Sequence, residues 1–213
     1  TVITGLDNNT IYYLSVYARV NTDWSNSIST NLAPIATGDL IITEVSGEFT
    51  DNDQDDDGFI EIKNTSAVTK HLNGVTINYF NGNSDNNIDF TIPLSGTIAP
   101  GAYITATRDN SAYNAEYGVD ADFNNSQFYF NGGIDRLSIT LTDNTEIDAF
   151  NDTSDFNNAF SWDSGVAYYR VNESASGALR SSWRAVGFAT PKAATAFDAE
   201  LTTAGTWTTT SNW

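Results

Sequence analysis

The sequence predicts an all-β chain built as an antiparallel β-sandwich, and three observations carry that prediction. Thr, Tyr, Phe, Val and Ile, which suit a pleated half-buried surface, recur throughout, with aromatics at 13% of the chain. Several segments alternate apolar and polar residues with period two, the cleanest being Leu137-Ser138-Ile139-Thr140-Leu141. Asn, Asp and Gly punctuate the intervals between such segments, as turns require. A chain of 213 residues has room for one large all-β domain, or for one domain with pieces of its neighbours.

Composition excludes several functions. With 9 Lys+Arg against 27 Asp+Glu, the net charge is −18, so no clustered positive stripe exists for nucleic acid or an anionic membrane surface. Cys is absent, which removes disulfides, thiolate nucleophiles and thiolate-bound metals; a single His argues against a histidine metal site. No apolar run approaches a membrane span. Acidity with few lysines fits a secreted or cell-surface protein. The opening Thr1–Leu6 shows neither an initiator Met nor a basic leader, and the chain is expected to be cut from a longer one.

The elements follow in order. Leu14, Val16 and Ala18 alternate with Ser15, Tyr17 and Arg19 after the turn cluster Asp7-Asn8-Asn9. Gly5-Leu6, Thr10-x-Tyr12, Val16-x-Ala18 and Asn21 together resemble the second half of a fibronectin type III domain. The resemblance places Tyr12 as the tyrosine that hydrogen-bonds back across a corner. An ordinary hairpin of the following domain is the alternative. Residues 1–37 are thus read as the C-terminal strands of such a domain plus a linker, Leu32 to Gly38.

Strands are then expected at Leu40–Val45, from Phe59 to Asn64, at Gly74–Phe80, Ile88–Ile92, Ala102–Thr107, Phe128–Phe130, Asp135–Leu141 and Glu146–Phe150. In the second of these, Ile60 and Ile62 share one face while Phe59, Glu61 and Lys63 share the other. One short helix is expected at Ser111–Tyr117, capped by Asp109 or Asn110 and ended by Gly118.

The order of several short pieces resembles the lamin-tail family of immunoglobulin-like sandwiches. They are Ile42-Thr43-Glu44-Val45, Phe59-Ile60-Glu61-Ile62-x-Asn64 and His71-Leu72-Asn73-Gly74-Val75-Thr76-Ile77, then Ile98-Ala99-Pro100-Gly101-Ala102-Tyr103 with Thr107-Arg108-Asp109 and Tyr117-Gly118. Tyr169-Arg170-Val171, Ser182-Trp183 and Thr190-Pro191-Lys192 complete the series, with Lys192 where the family commonly has Gly. The resemblance spans residues 39–195 and implies a compact, non-catalytic pair of sheets, so the domain is set at 38–195. Residues 196–213 read either as the start of a further β-rich module or as a terminal strand. Their Trp207-x5-Trp213 spacing resembles openings in large secreted adhesins and hydrolases of the Bacteroidetes kind.

One motif points to chemistry. Asp53-x-Asp55-x-Asp57-Gly58-Phe59-Ile60-Glu61 places alternate carboxylates where they can turn around one cation, with Gly58 at the sharp turn. The expected ligands are Asp53, Asp55, Asp57, the Phe59 carbonyl and Glu61, and oxygen donors alone select Ca²⁺. Asn64 stands where an EF-hand has Glu, so the loop is of the kind found between strands; a solvated acidic loop is the alternative. Glu44 and Glu61 lie on strands that can be neighbours, but the sequence implies no cleft for acid–base catalysis. The aromatic runs at Phe128-Tyr129-Phe130 and around Trp162 and Tyr168-Tyr169 read as sheet packing, with glycan stacking as the alternative.

The functional expectation is a structural, adhesion or display module of a large secreted or cell-surface bacterial protein, without catalytic residues. The alternatives are an accessory targeting module of an extracellular nuclease or other hydrolase, and a glycan-binding module. The expected partners are neighbouring domains of the same chain, with a bacterial secretion-system component (type IX) or a surface glycan as further candidates, and neither nucleic acid nor membrane insertion.

Overall fold

The computed structural model describes residues 5–7, 10–47, 57–80, 88–127, 135–151, 166–186 and 189–192. Its strands run β1 Tyr12–Val16, β2 Arg19–Val20, β3 Asp23–Trp24, β4 Ile28–Leu32, β5 Leu40–Ser46, β6 Phe59–Asn64, β7 Lys70–His71 and β8 Val75–Phe80. They continue with β9 Phe90–Pro93, β10 Thr97–Ile98, β11 Tyr103–Thr107, β12 Phe123–Asn124, β13 Arg136–Leu141, β14 Glu146–Phe150, β15 Ala167–Arg170 and β16 Trp183–Val186. The helix α1, Asn110–Tyr117, falls between β11 and β12. The expected strand at Phe128–Phe130, the expected calcium ligands Asp53 and Asp55, the aromatic Trp162 and residues 196–213 lie outside the described residues.

Two sheets make an immunoglobulin-like sandwich. One has six strands in the order β12-β11-β6-β5-β15-β16, the other four in the order β14-β13-β8-β9. Every pairing within them is antiparallel except β11 with β12. Between them lies one core, to which Leu40, Ile42, Val45, Ile60 and Ile62 contribute from the larger sheet and Val75, Ile77, Leu137, Ile139 and Phe150 from the smaller. Phe150 stands edge-on to Trp183 at 4.8 Å, closing the end where β14 faces β16.

Strands β15 and β16 were not legible as alternating runs, yet β15 pairs directly with β5 near the middle of the larger sheet. Arg170 of β15 reaches through to the other sheet. Its guanidinium donates to the carboxylate of Asp148 and to the Ile42 carbonyl, and Asp148 also accepts from the Ile42 amide at 2.8 Å. The stretch before β5 is equally tied down. Ala33 is buried and Ile35 packs against the core, while Lys70, fully buried, ion-pairs with Asp39 at 2.8 Å and donates to the Pro34 carbonyl.

The first residues form something different. β1 and β4 pair in a two-stranded antiparallel ribbon, and β2 and β3 in a second short one. Period-two alternation sorts Tyr12, Leu14 and Val16 to one face, with Ile28 opposite Val16, and Tyr13 and Ser15 to the other. The hydroxyls of Ser15 and Ser29 meet at 2.7 Å on that second face. The Asp7 amide donates to the hydroxyl of Tyr12, five residues further along the chain, at 2.7 Å.

Candidate functional site

The most unusual chemistry sits on the outer face of the larger sheet. It begins with a β-bulge. Ile42 pairs with Ile62, but Glu44, not Thr43, comes next opposite Glu61, and Val45 then pairs with Ile60. Without the extra residue, strict alternation from Leu40 and Ile42 would send Glu44 into the hydrophobic core and Val45 out of it. The bulge reverses that assignment.

As a result Thr105 of β11, Glu61 of β6, Glu44 of β5 and Tyr169 of β15 stand side by side in one row across four strands. Both glutamates are buried, Glu44 completely. Two covers keep water away. The first is α1, whose start is fixed by the Asp109 carboxylate accepting from the Ser111 amide at 2.7 Å, and whose end is Gly118 in the left-handed conformation. It lays Tyr113 and Tyr117 against Phe59, with ring centroids 5.5 and 5.3 Å away, and the Tyr113 hydroxyl donates to Thr105 at 3.2 Å.

The second cover is the short stretch 189–192. The Thr190 amide donates to Glu44 Oε1 at 3.0 Å, and the Lys192 amide to Glu61 Oε2 at 2.7 Å. Glu61 Oε1 accepts from the Thr43 hydroxyl at 2.7 Å, while the Tyr169 and Thr190 hydroxyls meet at 2.9 Å. Lys192 holds φ 59°, the left-handed region that a glycine enters without strain. Its ammonium binds the Asp120 carbonyl at 2.7 Å and Asp122 at 3.1 Å.

Electrostatics follow from this dryness. Burial pushes Glu44 up to about 8, with the neighbouring Glu61 charge adding to the effect. Burial also raises Glu61, to about 7, against the opposing help of Thr43, the Lys192 amide and Lys63. The hydroxyls of Tyr113, Tyr117 and Tyr169 are all raised, first by burial. The Tyr169 hydroxyl eases the shift at Glu44, and the Ser46 side chain eases that at Tyr117.

Of the five residues expected to hold calcium, Asp57 is buried two residues before β6. Phe59 is inside the ladder, opposite Ser46 on one side and Thr107 on the other, and both Glu61 oxygens are engaged as above. Asn64 is occupied too: its side-chain amide donates to the Val68 and Ile98 carbonyls at 2.9 Å, and its oxygen accepts from Ser66. No group of three or more metal-binding side chains occurs among the described residues. The loop carboxylates that lead into Asp57 are outside them.

His71 lies on β7 at the sandwich rim, half-buried, in the strand that pairs with β10. Tyr168 packs in the core and Tyr169 in the polar row, so neither offers an open face for a sugar.

The sequence pattern of the lamin tail domain matches residues 33–154, more than half of the chain. The chain belongs to the lamin tail domain family. No curated protein matches it. The matched span begins at Ala33, the first buried with the core among the described residues, and so takes in the segment held by Lys70 and Asp39. It carries both glutamates and α1 of the lamin tail domain, while β15 and β16 follow the matched span and complete the same larger sheet, and the 189–192 cover comes after them. Glu44 and Glu61 were each part of the family pieces read in the sequence; the row they form with Thr105 and Tyr169 was not foreseen.

Proposed function

We propose that the chain is a non-catalytic structural module of a longer secreted or cell-surface protein, in which the lamin tail domain is the rigid body and the preceding ribbon belongs to a neighbouring fibronectin type III-like domain. The observation that carries this reading is the contrast in cover. The sandwich core is dry, whereas Val16 and Ile28, paired on one face of the ribbon, are 67% and 80% exposed. A two-stranded ribbon is marginal by itself, and an apolar sheet face gains stability only when a second sheet packs about 10 Å above it. The Asp7–Tyr12 bond supports the fibronectin-like assignment, because it is the corner contact that family's tyrosine makes.

The buried glutamates support a structural role as well. A general acid or base must reach a substrate, and these two are roofed by α1 and residues 189–192. The acidic surface supports an extracellular setting. The test is to extend the chain upstream by its natural neighbouring sequence and follow amide exchange in β1 and β4. Ribbon amides that become as protected as those of β5 bear the proposal out; ribbon amides that exchange as before refute it. Turnover of nucleic acid, peptide or polysaccharide, lost in Glu44→Gln with folding intact, would refute the non-catalytic reading.

A further inference from the structure

The stretch between ribbon and sandwich reads as a linker in sequence, yet it is packed as part of the sandwich. β4 ends at Leu32, and the very next residue, Ala33, is buried. Ile35 packs against the core, and Pro34 and Ala36 are half-buried on either side of it. Proline at 34 fixes its own φ and confines Ala33 to extended backbone, so little torsional freedom is left where β4 meets the domain.

One side chain ties both ends of this stretch to the sandwich. Lys70, on β7 at the rim, is fully buried; its ammonium donates to the Pro34 carbonyl at 2.6 Å and pairs with Asp39 at 2.8 Å. Between those anchors the backbone closes on itself. The Asp39 carboxylate accepts from the Ala36 amide at 2.8 Å, and the Asp39 amide donates to the Ala36 carbonyl at 3.1 Å. Thr65, just past β6, adds a second hold: its amide donates to the Asp39 carbonyl at 2.9 Å and its hydroxyl to the Gly38 carbonyl. A lysine is seldom buried along its whole length, because drying an ammonium is costly unless acceptors meet it. Here two of those acceptors come from the 33–39 stretch itself.

We propose that Lys70 latches a stiff joint through which the sandwich holds the neighbouring fibronectin type III-like module in one orientation, an inference that rests on the module reading above. Modules joined by flexible linkers move relative to one another as the ordinary case. This chain leaves no free residue between the last strand of the ribbon and the first buried residue of the domain. Whatever packs on the ribbon is therefore carried by β4 directly into the latched stretch. The joint makes two modules turn as one body.

The experiment is ¹⁵N relaxation on the full 213-residue chain. The backbone order parameters of Ile35, Ala36 and Thr37 are expected at about 0.85, level with β5, and should fall by about 0.2 or more in Lys70→Met. The Ile62 and Ile139 amides should stay protected in that variant, which shows that the sandwich still folds. Should Lys70→Met not fold, because it leaves Asp39 without its cation, the double variant Lys70→Met/Asp39→Asn removes the latch with no stranded charge. Wild-type values more than about 0.1 below those of β5, or a smaller fall than about 0.2 in the folded latch variant, overturn the proposal. In the chain extended upstream, residual dipolar couplings of β4 and β5 should fit one alignment frame, and two separate frames in the wild type would also overturn it. Ribbon amides that gain no protection on extension sink the module reading alone, since the order parameters of the stretch judge the latch without it.

Discussion

The sandwich and the N-terminal ribbon are made from the same kind of sequence and end in opposite conditions. In the sandwich, Leu40, Ile60 and Ile139 are wholly removed from water; in the ribbon, Val16 and Ile28 keep most of their surface exposed. Both regions alternate apolar and polar residues, and both form antiparallel ladders. What differs is the opposing layer. Alternation is enough to make a strand, but only a second sheet turns its apolar face into a core.

The comparison can be broken most forcefully by truncation. Phe150→Ala removes a fully buried ring packed on Trp183 and Tyr168, and should cost about 3–5 kcal/mol in urea unfolding. Val16→Ala in the ribbon should cost less than about 0.5 kcal/mol. Equal losses would mean that the ribbon is part of the same cooperative core.

Next in size is pH. Glu44 and Glu61 stand at about 8 and about 7, above the 4.5 of an ordinary glutamate. The native state therefore binds more protons than the unfolded chain between about pH 5 and pH 8, and stability falls as pH rises through that window. The expected loss from pH 5 to pH 9 is roughly 2–4 kcal/mol, most of it absent in Glu44→Gln. Ribbon exposure should not follow pH in this way, since neither glutamate lies there.

Calcium is a smaller lever. If Asp53, Asp55 and Asp57 hold Ca²⁺ with the modest affinity of extracellular modules, 10 mM calcium should stabilise the sandwich by about 1–3 kcal/mol. Asp55→Ala should remove the gain. A melting temperature indifferent to calcium marks the loop as solvated acid.

Smallest is Lys192. Lys192→Gly relieves the left-handed backbone but gives up the contacts to Asp120 and Asp122, so it should change stability by about 1 kcal/mol or less. Lys192→Val loses the contacts and adds a β-branched side chain at the same φ, and should cost about 1–3 kcal/mol.

Much of this architecture could be read directly from residues. The Ile60/Ile62 face of β6, the whole of β13 and the α1 caps follow from local pattern, because period-two alternation, an Asp before the helix and a Gly after it act within a few residues. The position of Glu44 could not be read that way. Leu40–Val45 sets Thr43 and Glu44 side by side among apolar residues without alternation, so nothing local marks Thr43 as the bulged residue; only pairing with β6 does. The 189–192 cover posed the same difficulty at greater range. Lys192 was recognisable as standing where a Gly is common, and it does adopt the left-handed conformation, but its amide meets Glu61 from 131 residues away. Contacts at that separation are properties of topology, not of sequence windows.

The central claim is that the sandwich stands alone while the ribbon awaits a cover. Native-state amide exchange of the intact chain tests it most directly, because one sample reports both regions. The account predicts that Ile42, Ile62 and Ile139 exchange only through global unfolding, while Leu14 and Val16 exchange within about tenfold of unprotected rates. Ribbon amides protected to the same degree as those of β5 and β13 would contradict it.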